Sequence, residues 1–191
     1  MSPESVQPSD SPSPAALSGR KVLLRPLQET DAEALLEAAE SSREALRRWV
    51  DWASTPLNLQ GELDFVRRTG SVPDHVWGLF ELRTGRLAGA AALRRLEPEE
   101  RAQARLTLWV RADRQGRGYA TEAARLLVEH ALRRMGLHRV GARIDPANRS
   151  ARKVLKKAGF RYEGCLRDDR RAHGRWVDQE CWGFLKSDWK R

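Results

Sequence analysis

Only two cysteines, Cys165 and Cys181, occur in 191 residues, and neither stands in metal-like spacing with the four histidines. That scarcity excludes a disulfide framework, predicts no metal centre, and fits a reduced, cytoplasmic compartment. Long apolar runs are missing too. Nothing approaches the roughly 18–20 continuous apolar residues that a membrane-spanning helix needs. The N-terminus lacks the basic-then-apolar order of a secretory signal. Large apolar side chains are scarce over residues 1–18, where six Ser and four Pro occur. Such a stretch cannot bury enough surface to offset its ordering entropy, so it reads as a disordered tail. A Walker loop is absent, because no Gly-Lys-Ser/Thr closes the glycine-rich turn at 115–118. The dinucleotide pattern, which needs a third Gly and a later acidic residue, is absent as well.

What is present is enough for one domain, residues 19–191, with hydrophobic residues at 40 % and a net charge of +9. The charge favours acidic partners, but the arginine pairs are scattered and no nucleic-acid motif accompanies them, so nucleic acid is not expected as the main ligand. Val22 to Leu24 form a short strand before Pro26. Thr30 with Glu33 predicts a capping box opening a helix through Ala34, Leu35 and Ala38. Two further short helices are expected over 44–52 and 61–68, with Trp49 and Trp52 sharing a face. Strands at 76–82 and 87–93 flank an Arg83-Thr84-Gly85-Arg86 turn. A charged loop around Pro98 leads to a strand at 104–110. Residues 121–135 make the strongest helix, with Ala123, Ala124, Leu127, Val128, Ala131 and Leu132 on one face and Gly136 at its end. A strand at 138–144, a helix at 148–158 stopped by Gly159, and a hairpin of strands 160–167 and 176–185 round Gly174 complete the chain. This mixture gives an α/β class with a largely antiparallel sheet.

The chemistry concentrates in Gln115-Gly116-Arg117-Gly118-Tyr119-Ala120-Thr121, between a strand and the long helix. Glycines let backbone approach a ligand closely, and the helix presents unpaired N–H groups and the positive end of its dipole. Arg114 and Arg117 add charge. The arrangement suits a diphosphate. The alternative is a plain strand-to-helix turn.

Gln115-x-x-Gly118-x-Ala120 resembles the pyrophosphate loop of the GNAT superfamily of N-acetyltransferases. The run from Asn148 through Gly159-Phe160 and Glu163-Gly164 is similar to the RimJ/RimL branch, named for ribosomal-protein Nα-acetyltransferases. The resemblance covers about residues 20–190. It implies a mixed, mostly antiparallel sheet, split between two strands and flanked by helices, with acetyl-CoA as co-substrate. Trp109 and Val110 would border the split beside the pantetheine arm, and Asn148 would bond that arm or simply cap its helix. The acceptor would be a primary amine, foremost a protein N-terminus such as that of a ribosomal protein. A small-molecule amine and a non-catalytic CoA- or RNA-binding role are the alternatives, and a homodimer is compatible. The family's acid positions are not kept: Leu155 stands where relatives have Tyr, Ala151 where the branch has Ser, and Arg170 where a base is proposed for ribosomal relatives. Asp178 is the candidate partner for substrate amine or water, against a strand-pairing or turn role, with Glu81 a similar outsider. Cys165 reads as a small core residue.

Overall fold

Alternating apolar residues draw eight strands into one sheet in a computed structural model that describes residues 15–69, 75–96 and 101–189. The strands are β1 (Leu17–Ser18), β2 (Val22–Arg25), β3 (His75–Glu81), β4 (Leu87–Leu96), β5 (Gln103–Val110), β6 (Arg139–Ile144), β7 (Arg161–Ala172) and β8 (Arg175–Leu185), in the order β1-β2-β3-β4-β5-β6-β8-β7. Every neighbouring pair is antiparallel except β5–β6. That parallel pair is joined only at Gln103↔Arg139, Ala104↔Val140 and Arg105↔Gly141. Beyond it, 106–110 of β5 and 142–144 of β6 part company. The sheet is split there.

Side chains alternate across the sheet, so each strand serves two layers. On one face Val22, Leu24, Trp77, Leu79, Leu106, Val140 and Trp182 meet helices α3 (Tyr119–Arg133) and α4 (Arg149–Ala158). Leu127 and Val128 of α3 are wholly buried, each worth roughly 1.5–3 kcal/mol relative to exposure. On the other face Leu23, Val76, Phe80 and Leu87 meet α1 (Ala32–Leu46) and α2 (Leu59–Thr69).

Several expectations need correction. Helix α1 is one helix to Leu46, so the second helix expected from Glu44 merges into it, and Trp52 lies in a separate 3-10 turn, Asp51–Ser54. Trp49 and Trp52 therefore share no helix face. The α1 entry is fixed by Asp31 rather than Glu33: its carboxylate accepts the Gln28 N–H at 2.8 Å and pairs with Arg25 at 2.7 Å. Leu17 and Ser18, expected within the tail, pair with Leu24 and Leu23; residues 1–14 lie outside the described residues, as does most of the charged loop around Pro98. Strand β7 runs on to Ala172, because a register shift between Leu166 and Arg170 lets pairing resume. Cys165 is exposed rather than in the core.

Candidate active site

Since β5 and β6 are parallel, their carboxyl ends open the same way, and both following helices start there, on one side of the split. The route from β5 into α3 is held by one distant contact and one local one. The Ala112 N–H donates to Ser42 Oγ of α1 at 3.0 Å, and Gln115 Nε2 donates to the Val110 carbonyl at 3.2 Å. Gly116 (φ +76°) and Gly118 (φ +87°) both occupy the left-handed region that other residues enter only with strain. A Cβ at Gly116 would point into open space.

Gly118 is the N-cap of α3, and no side chain caps it. The first intrahelical bond there is Glu122 N–H to the Gly118 carbonyl, so the amides of Tyr119, Ala120 and Thr121 have no acceptor within the helix and face the loop with the positive end of the dipole. Ala120 and Thr121 are half-buried in that turn. The Tyr119 hydroxyl donates to Glu81 Oε1 at 3.1 Å. Arg117 is half exposed and 3.9 Å from Glu81, free enough to meet an anion, whereas Arg114 is fixed against Glu81 at 2.9 Å.

Two contributors reach the loop from distant elements: Lys21, and Glu81, which the sequence offered only as an outsider partner for the amine or water. Lys21 Nζ donates to the Arg117 carbonyl at 3.0 Å, adding a cation beside the loop from just before β2. Glu81, 5 % exposed at the end of β3, gathers Arg114, Tyr119 and the Thr84 hydroxyl, the last at 2.7 Å. The Thr84 bond foremost, then Tyr119, Arg114 and Arg117, hold its carboxyl below the usual range against the opposing effect of burial. Only β3–β4 and β4–β5 pairing brings Glu81 to this end, which a chain read in order does not reveal.

Across the split, Asn148 caps α4: its Oδ1 accepts the Ala151 N–H at 3.0 Å, leaving the amide NH2 end for another acceptor. Leu155 is buried in the core. Arg152, on the exposed-looking face of α4, is drawn to Glu180 at 2.6 Å and to the Pro146 carbonyl. Val110 is buried, and Trp109 packs at 5.4 Å from Trp52. Asp178 lies apart from these groups in sequence and role: exposed on β8, its Oδ1 accepts the Asp168 N–H at 3.0 Å inside the β7 irregularity, where Asp168 has φ +49°. Arg170 reaches over to Asp51 at 3.0 Å. Desolvation and the carboxylates of Asp178 and Glu180 push the Cys165 thiol up, away from a nucleophilic thiolate.

The family described as Acetyltransferase (GNAT) domain matches residues 21–161. Over 177 residues the chain is 28 % identical to "Probable N-acetyltransferase YjcK" of Bacillus subtilis (strain 168), covering 90 % of this chain and 98 % of that one. It is 28 % identical, also over 177 residues, to "Putative ribosomal N-acetyltransferase YdaF" of the same organism, covering 88 % and 93 %. Its fold superimposes on RimL, a ribosomal L7/L12 alpha-N-protein acetyltransferase solved with coenzyme A, at TM-score 0.81 and 18 % identity, covering 90 % and 98 %. With the split sheet, the glycine loop and this match over most of its length, the chain belongs to the GNAT family of acetyltransferases.

Proposed function

We propose that the protein transfers the acetyl group of acetyl-CoA to a primary amine, foremost the N-terminal α-amine of a protein. The observation that carries this is the uncapped start of α3 behind two left-handed glycines, set at the open end of a split sheet. The loop amides of residues 116–121, with Lys21 and Arg117, suit a diphosphate. The unpaired edge of β5 past Arg105 suits an extended amide-bearing arm, which pairs like an added strand beside Trp109 and Val110. Asn148 offers its NH2 group from the opposite wall.

The chemistry asks little of an acid or base. An α-amine has an unperturbed pKa of about 7.7–8.0, so a useful fraction is neutral at neutral pH, whereas a lysine near ~10.4 is almost wholly protonated. Alignment of amine and thioester, with water to carry protons, supplies most of the required acceleration. The name of YdaF and the nature of RimL support a ribosomal-protein acceptor. Calorimetric titration with acetyl-CoA, followed by thiol release with free-amine and N-blocked peptides, tests the proposal. Binding together with thiol release only from free-amine peptides is expected; no heat and no shift in melting point would refute it.

A further inference from the structure

Glu122 lies in the first turn of α3, where a carboxylate suits the helix dipole but opposes any anion held at the loop. Both of its oxygens are taken up by the chain just before β2. Oε1 accepts the Arg20 N–H at 2.7 Å, and Oε2 accepts the Lys21 N–H at 2.9 Å. Adjacent N–H groups on one carboxylate fix a backbone segment at two points, and the charge strengthens both bonds. The fit is close. A Cβ at Gly19 would lie 2.7 Å from the Glu122 carboxyl carbon, so a side chain there would push the carboxylate aside. On the other side the Lys21 carbonyl accepts the N–H of Leu82, the residue after β3, at 2.8 Å. The Lys21 backbone is thus held between α3 and the end of β3.

From that fixed backbone the Lys21 side chain reaches the loop. Nζ donates to the Arg117 carbonyl at 3.0 Å and stands 3.4 Å from where a Gly118 Cβ would lie. An ammonium carries three N–H groups and accepts nothing, so two remain for an oxygen anion at the loop. Among the described residues no carboxylate is paired with Lys21, whereas Arg114 is fixed against Glu81. We propose that Glu122 is a positioning residue: with Gly19 leaving room for its carboxylate, it fastens residues 19–21 to α3 and so makes Lys21 a ligand of the diphosphate of CoA. This rests on the acetyl-transfer reading above and deepens its cofactor site. The acid favours the anion through the lysine it delivers, against the effect of its own charge. Direct repulsion by Glu122 and positioning by Glu122 therefore have opposite signs, which makes them separable.

Calorimetry on the full chain tests this with CoA and with dephospho-CoA, which keeps the diphosphate and lacks the 3′-phosphate. Lys21 is exposed, so Lys21→Met folds, and it is expected to weaken both ligands about tenfold, the effect of one charge-assisted contact. Glu122→Gln keeps the size and one acceptor but removes the charge. It is expected to weaken CoA about threefold in spite of the reduced repulsion. Gly19→Ala displaces the carboxylate without altering any charge and is expected to act in the same direction. In the Lys21→Met background each of these two changes should cost less than about twofold, because the group they position is gone. A clamp that only holds the fold would lower the melting point and leave the losses additive. Tighter CoA binding by Glu122→Gln, unchanged affinity in Lys21→Met, additive losses, or a Lys21→Met loss that vanishes with dephospho-CoA overturns the inference. Should CoA bind with the expected dependences while no free-amine peptide releases thiol, the acetyl-transfer reading fails and the inference stands. Thiol release with an unaltered CoA affinity in Lys21→Met refutes the inference alone, and no CoA binding by the wild type refutes both.

Discussion

At the scale of single residues, a buried carboxylate is costly unless its oxygens are bonded. Glu81 satisfies that condition with Thr84 on one oxygen and Tyr119 and Arg114 on the other. Its pKa is lowered in the fold from an ordinary 4.5, so its stabilising contribution is full above about 4.5 and is lost as pH falls through the lower folded value. Glu81→Gln keeps the size and removes the charge that holds Arg114 and draws Arg117. It is expected to cost about 1–3 kcal/mol of stability and several-fold in CoA affinity, and to flatten the acid limb below about pH 4.5. Urea unfolding across pH and CoA calorimetry read both effects. Asp178 answers to a different comparison. Asn at that position still accepts the Asp168 N–H, whereas Ala does not. Asp178→Asn is expected to retain kcat within about threefold with an unshifted pH profile, and Asp178→Ala to cost about 1 kcal/mol through the hairpin. A kcat collapse in the Asn variant would make Asp178 the proton acceptor.

At the scale of elements, α3 is where structure becomes binding. Its start depends on Gly118 at φ +87°, where a side chain costs about 1–2 kcal/mol of strain and a Cβ would lie 3.4 Å from Lys21 Nζ. Gly118→Ala should therefore weaken CoA at least tenfold by calorimetry while lowering the melting point only by several degrees. This helix was legible in the sequence because its signals are local: a 3.6-residue apolar stripe, glycines before it and Gly136 after it. The same holds for Asn148 and Gly159 bracketing α4. The continuous α1 was not legible. Ser42 breaks the apolar stripe yet is buried, because its hydroxyl accepts the Ala112 N–H seventy positions away. The length of β7 likewise depends on a bulge held by Asp178 from the neighbouring strand. Lys21 joined the loop across 96 positions of sequence. Periodicity reveals elements and their nearest caps; it does not reveal which distant polar group an element will meet.

At the scale of the whole molecule, α3 links the two ends of the protein. Its first turn meets Glu81 and accepts the Arg20 and Lys21 N–H groups through Glu122, while its last turn places His130 against Trp77 towards the other end of β3 on the same face of the sheet. Trp77 is fully buried and donates from Nε1 to the Ala15 carbonyl, which ties β1 to the edge of the sheet. His130 is 8 % exposed and its Nδ1 has no hydrogen-bond partner among the described residues. Burial foremost, then His75 and Arg134, push its pKa below the ordinary 6.5. The folded state thus resists a proton that the unfolded chain accepts, so stability is full above about 6.5 and falls as pH drops through the window down to the folded value. This decline begins at a higher pH than that of Glu81, and the two groups act at opposite ends of one helix. Urea unfolding of wild type should show stability falling first below about pH 6.5 and further below about pH 4.5. His130→Leu should remove the upper decline and leave CoA binding intact, whereas Glu81→Gln should affect the lower decline and weaken CoA. Because a ligand at 100 times its Kd stabilises the native state by about 2.7 kcal/mol, saturating CoA should raise the melting points of wild type and His130→Leu equally, and that of Glu81→Gln by less at the same concentration. An equal rise in all three proteins would show that Glu81 holds the fold but does not shape the loop.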